Sequence, residues 1–233
     1  MPHGKTEAYV ILEIREDVRD PYTYAGFQRP PSREALKRWI ENQDIASIEA
    51  CFDRIPVKPG DVFLIPGGRP HALGEGILML EIMEPSDLAV RFEFECCGFV
   101  IPKEVRFMGR CLDTALDVFS FESVPLSQMD SEFRCKPKIL ASGAHGNRLE
   151  ELIGADKTPF FNVKRTSIKG TFQRKESAFF YGVVIKGAGP LRTGGEVTDL
   201  NQWDRFFCPA DIEEFQYESA SGMSILECYP GNA

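Results

Sequence analysis

The chain has 233 residues, 43% apolar and 27% charged, with a net charge of −8. That is material for one large or two small cored domains, in the ordinary composition range of a soluble globular protein. No basic block is present, which argues against nucleic-acid binding through phosphates; no apolar run nears the ~18 residues of a membrane span, and the N-terminus lacks a signal-peptide core, so the cytoplasm is the expected location.

The first strand covers 5–14. Its alternation places Glu7, Tyr9, Ile11 and Glu13 on one face and Ala8, Val10, Leu12 and Ile14 on the other. The all-apolar set is expected to face the core, leaving the two carboxylates to solvent or a polar cavity. Residues 16–31 form a polar connection rich in aromatic residues and proline. Ser32 is predicted to cap a helix carrying Leu36, Trp39 and Ile40, and Asp44 a second one with Ile45, Ile48 and Phe52 inward.

Residues 57–91 are the centre of the sequence. Pro59-Gly60-Asp61 is a turn, 61–65 a short buried strand, and Pro66-Gly67-Gly68 a second turn that delivers His71 to the next segment. Residues 77–83 are a third strand, with Ile77, Met79, Glu81 and Met83 on one face. A carboxylate in so apolar a run calls for a partner. The strand is expected to continue from Arg91 through Phe92, Phe94 and Cys96. A helix is predicted over 104–119 and a short one near 148–153, and His145 reads as a surface-loop residue.

From Phe160 onward the texture is all-β, with short strands and Gly/Pro turns suggesting a second small barrel. It contains no histidine, so it is read as structural, and neither Trp203 nor the acids Asp211, Glu213 and Glu214 give a better functional signal. The seven cysteines, at 51, 96, 97, 111, 135, 208 and 228, are odd in number, irregularly spaced and without a Cys-x-x-Cys pair. They are expected to be reduced and mostly buried thiols.

On residue chemistry alone the first half offers Lys5, Glu7, His71, Glu81 and Arg91. A divalent metal takes His and carboxylate ligands; Lys and Arg suit an anionic substrate. The wording of 56–91, with Pro-Gly-Asp, Pro-x-Gly-x-x-His-Ala, an apolar strand ending Leu-Glu-Ile and Ser-Asp-x-x-x-Arg, closely resembles the cupin core of class I mannose-6-phosphate isomerases. Gly4-Lys5-Thr6-Glu7 resembles that family's Gly-Lys-x-Glu strand.

The resemblance implies a mainly β fold of two cupin-like (jelly-roll) barrels with a helical insertion and a helical linker. The domains would be 1–100, with the insertion at about 32–54, a linker over 101–158, and a second barrel without metal ligands over 159–233. It implies Glu7 and His71 as ligands of Zn2+ or another divalent metal, and Lys5 and Arg91 as catalytic and substrate-binding residues. The substrate would be a phosphosugar, mannose 6-phosphate converted to fructose 6-phosphate. The alternative is a non-catalytic sugar-binding or regulatory cupin with a degenerate metal site. The family takes two further ligands from a Gln-x-His strand ahead of Gly-Lys-x-Glu, and this chain starts past that point; His3 does not fit the pattern. A weak metal site is expected, together with an open strand edge that invites a homodimer.

Overall fold

The computed structural model describes residues 4–86 and 89–231; His3 and Asp87, which enter the readings above, lie outside the described residues. Contacts divide the chain into two units, the first running through Arg134 and the second starting at Cys135.

In chain order the first unit contains β1 (Glu7–Ile14), β2 (Tyr22–Ala25), α1 (Arg33–Asn42), α2 (Ile45–Glu49), β3 (Ile55–Pro56), β4 (Val62–Ile65), β5 (His71–Leu73) and β6 (Ile77–Met83). Then come β7 (Glu95–Cys96), β8 (Phe99–Val100), α3 (Leu112–Leu116) and α4 (Met129–Glu132). β1 is the middle strand of an antiparallel sheet, between β4 and β6; β2 is the middle of another, between β3 and β5. Tyr9, Ile11, Ala25, Phe63, Ile65 and Phe133 form the core these strands share. A second cluster, with Phe27, Leu36, Ile40, Phe52 and Leu116, seats the helices.

The caps fall where the side chains predict them. Ser32 accepts from the Ala35 amide at 3.2 Å, and Asp44 from the Ser47 amide at 3.2 Å. α1 buries Leu36 and Ile40, four apart on one face. It stops at Gln43, whose left-handed backbone (φ 52°) turns its side chain onto the Ile40 and Phe92 carbonyls and the Phe94 amide.

Four expectations about local structure are corrected. The face of β1 bearing Glu7, Tyr9 and Ile11 points into the core, and Ala8 and Val10 on the other face are buried too. A register shift between Ile11 and Glu13 then brings Ile14 onto the same core and leaves Glu13 exposed. The helix expected over 104–119 is a 3-10 turn at Lys103–Val105 and the five-residue α3, because Met108 and Gly109 take positive φ (57° and 70°) between them. Residues 91–94, expected to continue a strand, run irregularly, the Phe92 carbonyl and Phe94 amide bonding to the Gln43 side chain in place of a neighbouring strand.

The second unit contains β9 (Lys138–Ser142), β10 (Arg148–Ile153), β11 (Phe161–Lys175), β12 (Phe180–Gly187), β13 (Gly189–Thr193), β14 (Glu196–Leu200), β15 (Arg205–Cys208) and β16 (Glu214–Pro230). The sheet runs β14-β13-β16-β11-β10-β9, with β12 joining β16 and carrying β15. Residues 148–153 are therefore a strand: paired on both sides, with Leu152 and Ile153 buried, they gain more from the sheet than from an isolated helical turn. β11 and β16 pair along almost their whole lengths, Phe161 facing Pro230 and Lys175 facing Glu214, with a register shift at Ile168/Gly170 where Gly170 has φ 85°.

Phe180, Val184, Phe215, Tyr217 and Ile225 fill the second core. Inside it lies a polar knot. Arg174 Nη1 is 2.8 Å from Glu227 Oε1 and donates to Thr166 Oγ1 as well. Thr166 Oγ1 in turn donates to Glu227 Oε1 at 2.8 Å, and Tyr229 OH to Glu227 Oε2 at 2.7 Å. Among the described residues no buried side-chain polar atom lacks a partner. The molecule is thus mainly β, as expected.

Candidate active site

Two glycine-bearing turns decide where the site residues meet. Gly4 lies against Gly67 and Gly68: a Cβ on Gly67 would sit 2.3 Å from the Gly4 carbonyl oxygen, and one on Gly4 2.8 Å from the Gly68 amide nitrogen. Only glycines permit this approach, which brings the lead-in to β1 against the turn ahead of β5. Lys5 and Glu7 on one segment therefore come to His71 on the other.

The distances are short. His71 Nε2 is 2.9 Å from Glu7 Oε2, and Tyr9 OH donates to the same oxygen at 2.8 Å. Lys5 Nζ is 2.8 Å from Glu7 Oε1 and 2.9 Å from Met83 Sδ. Glu7 is 7% exposed. On β6, Glu81 faces Tyr9 across the ladder, near enough to feel the Glu7 charge.

His71 is oriented from behind. Its Nδ1 lies 2.8 Å from the Arg69 carbonyl, and Arg69 is itself tied to Ser120 Oγ at 3.0 Å and Glu122 at 3.3 Å. A carbonyl only accepts, so Nδ1 carries a proton. If the ring is neutral, Nε2 then presents a lone pair to Glu7 Oε2. Two acceptors at that separation need a cation between them, either a proton on Nε2 or a metal ion.

The ionisation equilibria follow from this packing. Burial pushes the Glu7 carboxyl up, but hydrogen bonds from His71, Lys5 and Tyr9 outweigh it and bring the pKa down to about 2. Burial opposes charge on His71, yet the Glu7 hydrogen bond and the Arg69 carbonyl raise it above its ordinary value. Burial, and then the neighbouring Glu7 charge, push Glu81 up. Tyr9 is raised by burial and by the same carboxylate.

The fit to a divalent metal is partial. Glu7 and His71 have the right chemistry and converge, with His71 held by a carbonyl behind it as metal-bound imidazoles usually are. Among the described residues, however, no group of three or more His, Cys, Asp or Glu is arranged to hold a metal ion.

Of the four site residues expected from sequence, the structure gathers Lys5, Glu7 and His71. Arg91 lies outside the strands with its side chain exposed, its amide donating to the Arg106 carbonyl at 3.5 Å. Among the described residues no hydrogen bond or ion pair joins it to Glu7 or His71. Tyr9 was not assigned a role from sequence; sharing a strand face with Glu7 was the available signal. The Arg69 carbonyl carried none, since a main-chain acceptor has no side-chain signature.

No protein-family model matches the chain. It is 25% identical over 219 residues to mannose-6-phosphate isomerase of Bacillus subtilis, covering 92% of this chain and 62% of that protein. It is 26% identical over 217 residues to mannose-6-phosphate isomerase of Streptococcus mutans, covering 92% and 61%. The solved mannose 6-phosphate isomerase from Bacillus subtilis superposes with a TM-score of 0.70 at 23% identity, over 96% of this chain and 64% of that one. The phosphomannose isomerase from Salmonella typhimurium, as a lysine-to-alanine mutant, superposes with a TM-score of 0.65 at 14% identity, over 98% and 68%. This chain spans less than two thirds of the length of the curated relatives it matches. Over nearly all of its own length it is similar to mannose-6-phosphate isomerases, and its cupin-like fold is the one their solved structures share.

Proposed function

We propose that the chain carries the active centre of an aldose–ketose isomerase that interconverts mannose 6-phosphate and fructose 6-phosphate. The observation that supports this best is the convergence of His71 Nε2 and Glu7 Oε2 at 2.9 Å, with Lys5 on the other carboxylate oxygen. The relatives' activity points the same way. In this reading Glu7 and His71 hold zinc or another divalent metal, which would polarise the substrate oxygens at C1 and C2. Lys5 moves a proton or binds substrate; it stands on the far side of Glu7, at the edge of the cluster. Arg91, exposed and cationic, stabilises enediolate charge or anchors the phosphate. The substrate is soluble, so a cytoplasmic location fits; among the described residues no helix is long and apolar enough to cross a membrane.

The test is metal analysis of the purified chain together with a coupled isomerase assay. Bound metal with turnover supports the reading, and a folded, metal-free, inert protein overturns it. His71→Ala should lower metal occupancy, and unchanged occupancy removes it as a ligand. Arg91→Ala should abolish turnover with little change in Tm; wild-type turnover removes it from the mechanism.

One observation favours a second reading. Two donors without a third among the described residues are what a degenerate site in a sugar-binding or regulatory cupin would leave. Saturable mannose 6-phosphate binding by the inert protein would support that reading.

A further inference from the structure

Away from this site, β7 and β8 present a pair of thiols. Glu95 faces Val100 and Cys96 faces Phe99, so Cys97 and Gly98 are the two turn residues of a tight hairpin. Both have positive φ, 52° and 81°. That is the backbone of the hairpin turn whose central positions usually fall to Asn, Asp or Gly. Cysteine is uncommon in such a conformation. Here it turns the Cys97 side chain back beside its predecessor, leaving the two sulfurs 3.7 Å apart on exposed residues.

The surroundings hold this arrangement. Ile101 donates its amide to the Phe94 carbonyl at 2.8 Å, and Gln43 accepts from the Phe94 amide at 2.7 Å. The Arg106 guanidinium stacks 4.0 Å from the Phe94 ring centroid and donates to the Ile101 carbonyl at 3.0 Å. Cys97 and Arg106 line one surface cavity together with Glu41 and Glu93. The other exposed thiol, Cys111, faces the Thr114 hydroxyl.

We propose that Cys96 and Cys97 form a dithiol site that a small-molecule disulfide of the glutathione class oxidises to a vicinal disulfide. The Cys97 thiolate attacks one sulfur of the oxidant, forming a mixed disulfide and expelling one thiolate. The Cys96 thiolate then attacks the Cys97 sulfur, closing the Cys96–Cys97 bond and expelling the second. The protein loses two electrons and two protons, and the oxidant leaves as two reduced thiols. Cys97 goes first because the Cys96 thiol is held above its ordinary pKa by its hydrogen bond with Cys97 and by the Glu93 charge.

Adjacent residues have Cα atoms about 3.8 Å apart, shorter than the usual disulfide range of about 4.4–6.8 Å. The closed ring is therefore strained and readily reduced, as suits a reversible mark.

The experiment incubates the reduced chain with oxidised glutathione, alkylates the remaining thiols under denaturing conditions and maps the peptides by mass. The peptide holding Cys96 and Cys97 should escape alkylation and weigh two hydrogens less than its reduced form. A reductant should restore both thiols. In Cys96→Ser, Cys97 should instead keep a stable glutathione adduct, since nothing can displace it. Alkylation of both thiols under conditions that modify Cys111, stable adducts on both in the wild-type chain, or a bond to any other cysteine would each overturn the proposal.

Discussion

Glu7 and Glu227 are both carboxylates buried in β-structure beside a tyrosine and a cation, yet their surroundings differ in kind. Glu227 is fully buried, and Arg174, Thr166, Tyr217 and Tyr229 all point donors at it. The Arg174 guanidinium lies 2.8 Å from Glu227 and 3.7 Å from Glu176, which Lys164 answers in turn, and neither Arg174 nor Glu227 faces water. Glu7 has Lys5, His71 and Tyr9 around it, but a second carboxyl, Glu81, adjoins it and the His71 side chain keeps a quarter of its surface in solvent. A closed, balanced knot of charges holds strands together. An open cluster with two carboxyls and an oriented imidazole has capacity left for an ion or a substrate.

The largest way to break the comparison is to remove one partner from the closed knot. Arg174→Met leaves the Glu227 charge unanswered at 0% exposure, and stability should fall by about 3–5 kcal/mol. The double variant Arg174→Met/Glu227→Gln should recover part of that loss, because no bare charge remains. Lys5→Met in the open cluster should cost only about 1 kcal/mol, since Glu7 retains His71 and Tyr9. Urea melts of the three variants check the ordering; equal losses at Lys5 and Arg174 would mean that the two clusters are buried alike.

The open cluster should also respond to pH. The Glu7 carboxyl is lowered in the folded chain to about 2, so its contribution is complete above the ordinary carboxylate range near 4.5 and fades as pH falls toward 2. His71 is raised, so its contribution is complete below about 6.5 and fades as pH rises through the folded value. Both are present together between those limits. His71→Asn should lower Tm most inside that window and least at alkaline pH, as read from melts across pH in a metal chelator. A Tm difference from wild type that is flat with pH would contradict the ion pair.

Much of this was legible from side chains, because the signals were local. The period-two alternation of β1, the Ser32 and Asp44 caps and the Pro-Gly turns before β4 and β5 each rest on a few neighbouring residues. The meeting of Lys5 and Glu7 with His71, 64 positions beyond Glu7, came instead from the order of motifs that the family resemblance supplied. What failed depended on partners distant in sequence. Which face of β1 is interior was decided by Phe63, Ile65 and Phe133, and the bulge after Ile11 reversed the alternation that the sequence had suggested. Residues 148–153 carry a pattern that suits a helical turn, and only pairing to β9 and β11 makes them a strand. Cys96 and Cys97 read as ordinary buried thiols until a turn residue with φ 52° put them at the surface, side by side.

The smallest effect sharpens the contrast most. Tyr9 and Tyr229 make the same bond, a phenol hydroxyl donating to a buried carboxylate at 2.8 and 2.7 Å. Replacing either by Phe removes one oxygen and little volume, so the variants compare the two environments directly. Glu227 has no water to take the vacated position, and Tyr229→Phe should cost about 1.5–3 kcal/mol, the range of a bond to a charged group. At Glu7 the same oxygen keeps His71, the other keeps Lys5, and the partly exposed imidazole admits water, so Tyr9→Phe should cost about 0.5–1.5 kcal/mol. Denaturant melts of the two variants give the difference. If Tyr9→Phe proved the costlier, the site around Glu7 would be as closed as the knot around Glu227, and its spare capacity for a ligand would have no structural basis.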